Sequence, residues 1–109
     1  MTTIADDVST ALVRFVIARL DDDDESLRRH TDRLPPKVAE RFRADVLAKR
    51  QILGTAQRLL ILHDMPQQHD VRTQAIEILR SLATSYADHP AFRDEWRMGR
   101  KARNRASGE

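Results

Sequence analysis

Apolar residues recur along this chain at intervals of three to five, the spacing of one face of an α-helix. Ile4, Val8, Ala11, Leu12, Phe15 and Leu20 make the first run, which crosses the acidic stretch Asp21-Asp22-Asp23-Asp24-Glu25 and resumes at Leu27, Thr31 and Leu34. Thr3 followed by Asp6 resembles a helix start, with a carboxylate near the positive end of the helix dipole. The pattern predicts one helix to about residue 32; adjacent like charges repel and Asp is a poor helix former, so a kink at the acidic stretch is the alternative. Leu34 precedes Pro35, and a residue before proline avoids the α region, so a break is expected at 33–35.

Pro36 suits the first turn of a second helix, where a missing N–H costs nothing. Val38, Phe42, Val46, Ile52, Leu53, Ala56, Leu59 and Leu60 form its apolar stripe. Gly54 falls inside it at a cost of about 1 kcal/mol relative to Ala; either a neighbouring helix packs closely there or the defect is tolerated. The segment from His63 to Asp70 is polar, contains Pro66 and lacks periodicity, so it reads as a loop, with Asp70 as the N-cap of a third helix. That helix carries Val71, Ala75, Ile78, Leu79, Leu82 and Tyr86. Asp88-His89-Pro90 reads as a turn, with Pro90 opening a short helix through Phe92 and Trp96. No strand-period segment and no internal repeat is present. The expected architecture is all-α: a long antiparallel helical hairpin, a third helix and a short C-terminal helix folding back. Residues 1–97 make one helical domain, and 98–109, rich in charge, Gly, Ser and Asn, a disordered basic tail.

Composition narrows the function classes. A chain of 109 residues suits one small core. No window approaches 18 consecutive apolar residues, so a membrane-spanning helix is not expected. The acidic start, Met1 to Asp7, lacks the basic region of a secretory signal. Zero Cys removes disulfides, thiolate zinc sites and cysteine nucleophiles together. A cytoplasmic protein is the default expectation. The charge is uneven: residues 97–109 carry Arg97, Arg100, Lys101, Arg103 and Arg105 against Glu109, a net +4, which leaves −2 for the rest out of a formal +2.

Candidate chemistry is sparse. His63-Asp64 and His69-Asp70 could bind a divalent metal if the loop folded back on itself; the plainer reading has Asp64 ending one helix, Asp70 capping the next and both imidazoles solvated. The acidic stretch lacks the alternating pattern and glycine of an EF-hand loop, and reads as a solvated face or a contact for a basic partner, the tail included. No serine sits in a G-x-S-x-G elbow, and no phosphate-cradling glycine loop or H-E-x-x-H helix occurs, so no enzyme activity and no cofactor are expected. The join between the second and third helices is too long for a helix-turn-helix, which leaves the tail as the candidate nucleic-acid contact.

Two stretches, Val46-Leu47-Ala48-Lys49-Arg50-Gln51-Ile52-Leu53 and the run from Leu79 to Arg97 containing Tyr86-Ala87-Asp88-His89-Pro90, resemble a family of small proteins of actinobacteria and their phages with no assigned function. That family shows an A-K-R-x-I-L helix, then L-R-x-L-A-x-x-Y-A-D-H-P-x-[YF]-R-x-E-W-R, and an opening similar to L-V-x-F-x-x-A-R-L-D-x-D-E. The resemblance covers most of residues 8–97. It implies no activity. Many relatives carry a longer loop with a His, a C-x-x-C and a further Cys, which looks like a zinc site; here only His63 could correspond, and the cysteines are absent.

Tyr86, Phe92 and Trp96 are three of only five aromatics. The expectation is that Asp88 or His89 serves the turn, Pro90 holds its backbone, and Phe92 and Trp96 lie buried on the hairpin of the first two helices. The other reading is an exposed recognition surface. A second helix of about 27 residues spans about 40 Å, more than a third helix of about 16 can cover. Val38, Phe42 and Val46 are therefore expected to need a partner. The leading expectation is a non-enzymatic interaction module that forms a homodimer or binds another protein; the alternative is a small nucleic-acid-binding protein acting through its tail.

Overall fold

A computed structural model describes residues 3–61 and 69–97, and the side chains of 8–61 and 70–97. These form three α-helices, α1 (Thr3–His30), α2 (Pro36–Ile61) and α3 (His69–Thr84), with 3-10 turns at Thr31–Arg33 and Asp94–Trp96 and no strand among the described residues. The fold is all-α, and each helix packs against the other two. The α1–α2 break lies at the two prolines. Leu34 is extended, with φ −96° and ψ 140°, the conformation that the following Pro35 imposes. A connection that short makes α1 and α2 antiparallel neighbours.

The core is one cluster. α1 contributes Leu12, Phe15, Val16 and Leu20, α2 Val46, Leu53 and Ala56, and α3 Leu79, Leu82 and Ala83, with Trp96 closing one side. Leu12, Val16, Leu20 and Leu79 are fully sealed from water, so truncating any of the three leucines to Ala costs about 2–5 kcal/mol.

α1 continues as one helix through the acidic stretch to His30, as the periodicity predicts. The structure corrects the expected pattern in three places. The stripe of α2 is not uncovered where expected: Val46 is 3% exposed, Phe42 is half-buried against the core, and only Val38 stands out at 49%. Both α1 and α3 pack on α2, and the chain leaving α3 reaches this end of it, with the Tyr86 ring 5.0 Å from the Lys49 ammonium. Asp70 falls in the first turn of α3 rather than before it. Finally, no α-helix follows Pro90. The chain leaves α3 through successive turns, with the N–H groups of Ser85, Tyr86, Ala87, His89 and Phe92 each donating three residues back. It ends in the single 3-10 turn Asp94–Trp96.

Candidate functional site

The closing segment, 85–97, lays its rings around one side chain of α1. The Phe15 phenyl meets Tyr86 at 6.4 Å, His89 at 5.8 Å, Phe92 at 5.9 Å and Trp96 at 5.2 Å, centroid to centroid, mostly edge to face. Edge-to-face pairing sets the positive rim of one ring on the negative face of another, a gain beyond area burial. Trp96 is 4% exposed, with the Phe15 ring of α1 beside it and Arg80 of α3 on its carbonyl. Arg80 of α3 holds the turn from below, donating to the carbonyls of Trp96 at 3.2 Å and Arg97 at 3.1 Å. Those oxygens follow the last helix-like turn, so the guanidinium satisfies acceptors that the backbone leaves open.

A polar shell surrounds the rings, and here the acidic stretch of α1 finds its partners. The Tyr86 hydroxyl donates to Asp23 at 2.7 Å. Arg50 of α2 donates to Asp21 at 2.9 Å and to Asp24, which lie three residues apart on one face of α1. Lys49 places its ammonium 5.0 Å from the Tyr86 ring centre while pairing with Asp45. Arg19 bonds Asp22 at 3.0 Å and lies over the Phe15 ring, and Glu25 takes Arg28 and Arg29. Burial, then the Asp23 hydrogen bond, pushes the Tyr86 phenol well above its ordinary pKa. The bonds to Asp24 and then Asp21 hold the Arg50 guanidinium above its own ordinary value.

His89 shows which tautomer this shell demands. Its Nδ1 faces the Ala91 backbone N–H at 3.0 Å and the Arg19 guanidinium at 3.3 Å. Both neighbours are donors, so Nδ1 accepts and the ring proton belongs on Nε2. His89 thus closes the turn as an acceptor for Ala91, while Asp88 and Pro90 are exposed. Arg97 rests over Phe92 at 5.3 Å and pairs with Asp94. Arg100, Lys101, Arg103, Arg105 and His63 lie outside the described residues, as does the side chain of His69. Among the described residues, no three His, Asp or Glu side chains converge as metal ligands.

The sequence pattern did not reveal two features. One is the meeting of Asp21, Asp23 and Asp24 with Arg50 and Tyr86, groups far apart in the chain; the adjoining Lys49-Arg50 and Tyr86 in two separate motifs were the available signal. The other is the outward face of α2. Leu47 is 59% exposed and Ile61 71%, while Ile52, 44% exposed, lies well round the helix from both. Leu47, Gly54 and Ile61 are spaced by seven and so share one line along the helix. No helix of the described residues is long and apolar enough to cross a membrane.

The model of DUF6221, a family of unknown function, matches residues 26–98, and the chain belongs to that family. No curated protein and no solved structure matches it.

Proposed function

We propose that this DUF6221 protein is a non-enzymatic, cytoplasmic helical module that pairs with a second copy of itself through the outward face of α2. The observation that carries this reading is the line Leu47–Gly54–Ile61, exposed at both ends. It spans about 21 Å at 1.5 Å per residue. Gly54 lies midway, so a two-fold axis passing there sets Leu47 of one copy against Ile61 of the other. A patch that complements itself in this way is what an isologous interface requires. Gly54 also carries no side chain to hold the helices apart: the nearest atom to a Cβ built on it is the mobile end of its own Arg58, at 3.8 Å.

The test is the solution mass. Light scattering should give about twice the 12.6 kDa of one chain. The double variant Leu47→Asp with Ile61→Asp should give one chain mass with unchanged helical circular dichroism. A monomeric wild-type protein at high micromolar concentration refutes the pairing.

A further inference from the structure

A groove runs between α1 and the closing segment, and its charge is one-sided. Arg14, Arg19 and Arg93 line it, the floor is made by Ala11, Ala18 and Ala91 with the edges of Phe15 and Trp96, and none of the lining residues is acidic. The recess exists because those three positions are alanines where a longer side chain would fill the space. The three cations differ in state. Arg19 is tied to Asp22 and His89, so it contributes field and is not free to move. Arg14 and Arg93 are exposed and make no ion pair among the described residues. The Arg93 guanidinium lies 5.4 Å from the Trp96 ring centre, which holds its plane beside the groove at little entropic cost.

We propose that this groove binds a small organic oxyanion, a carboxylate or a phosphate carried on an apolar or aromatic body. Two guanidinium groups facing a recess from opposite walls match an oxyanion with several lone pairs, since each can donate two parallel N–H bonds. The alanine floor and aromatic edges accept the body of the ligand and withdraw apolar surface from water. The recess extends only over the α1 turns from Thr10 to Arg19, about 14 Å at 1.5 Å per residue. That length seats one small molecule rather than a strand of nucleic acid. The site shares no residue with the outward face of α2 and stands whether or not the chain pairs.

Trp96 lines the groove and is the only tryptophan, so its fluorescence reports occupancy, with titration calorimetry as the second readout. The probes are benzoate, phenyl phosphate, inorganic phosphate and a short single-stranded oligonucleotide, each titrated into the full chain. Saturable binding of benzoate or phenyl phosphate, tighter than that of inorganic phosphate, is expected; whichever of the two binds more tightly identifies the head group. Arg14→Gln should weaken it roughly tenfold, the loss of one charge-assisted contact. Ala91→Glu, which puts a carboxylate into the groove at an exposed lining position, should abolish it. Both variants should keep the wild-type melting temperature. No saturable response at millimolar probe overturns the proposal, as does equal affinity in Arg14→Gln. So does binding of the oligonucleotide alone, lost on removal of residues 99–109.

Discussion

Replacing Tyr86 by Phe isolates the one hydrogen bond that joins the closing segment to the acidic stretch of α1. The ring stays, so the edge contact with Phe15 and the Lys49 ammonium over its face survive. What is lost is a 2.7 Å bond from a part-buried hydroxyl to the Asp23 carboxylate. Hydrogen bonds to charged groups contribute about 1.5–3 kcal/mol. The partial exposure of this pair places it at the lower end, about 1.5 kcal/mol. In a domain of this size that lowers the melting temperature by roughly 6–12 °C. Urea unfolding of wild type, Tyr86→Phe, Asp23→Asn and the double variant measures the coupling directly. A pH series gives an independent check. The folded state raises the phenol pKa, so it favours the protonated form. The resulting stability is fully present below the unfolded value of about 10 and is withdrawn as pH rises through the folded value. Absorbance of the only tyrosine should therefore titrate above that of free tyrosine, and the alkaline loss of stability should be smaller in Tyr86→Phe. A phenol that ionises normally in the folded protein, together with additive single variants, would refute the reasoning.

Trp96→Ala removes a side chain 4% exposed that touches Phe15 and Phe92, at a cost of about 3–5 kcal/mol out of the 5–15 typical of a whole domain. Circular dichroism should show an unfolded or barely cooperative chain at 37 °C, and a melt within a few degrees of wild type would show that the closing segment stabilises little. Gly54→Ala should raise the unfolding free energy by about 0.8–1 kcal/mol when measured at concentrations low enough to keep the chain monomeric. The added Cβ meets only the Arg58 guanidinium at 3.8 Å, so a destabilised monomer would mean an unseen close contact.

Helix periodicity and proline placement carry most of the architecture, because both are local. The interval pattern of α1 and the Leu34-Pro35-Pro36 break need no tertiary information. What failed were inferences about which element covers which. Helix lengths alone leave Val46 uncovered, yet it lies in the core shared by all three helices. The segment after Pro90 looked helical because Phe92 and Trp96 have helical spacing. The six residues between that turn and Arg97 leave room for fewer than two helical turns, and side-chain partners take over. Arg80 holds its carbonyls and Phe15 its rings, so an extended stretch with a 3-10 turn satisfies both. The acidic stretch reads as a solvated face or a contact for basic groups, and it is both; what the sequence could not name were the distant partners, since Arg50 and Tyr86 lie 26 or more residues from Asp21, Asp23 and Asp24. Trp96 is buried in the core with Phe92 and Tyr86 packed half-buried against it, and the candidate surfaces draw mainly on positions with no motif at all.

Those positions follow from how charge is paired, and net charge alone points the wrong way. A body with formal charge −2 suggests a molecule indifferent to anions. Yet every carboxylate of the acidic stretch is held by Arg19, Arg28, Arg29, Arg50 or the Tyr86 hydroxyl. A carboxylate paired within hydrogen-bond distance projects little field beyond its partner, and salt screens the remainder over about 8–10 Å. The cations without such partners then dominate locally, and Arg14 and Arg93 face one recess. The same accounting separates the two candidate surfaces. The groove draws on α1 and the closing segment and the pairing line on α2; the two approach where Arg14 and Ile61 border one recess between α1 and α2. Leu47→Asp, at the far end of the line, should therefore leave benzoate and phenyl phosphate binding unchanged, and Arg14→Gln should leave the solution mass unchanged. Either cross-effect would show that the two surfaces are one.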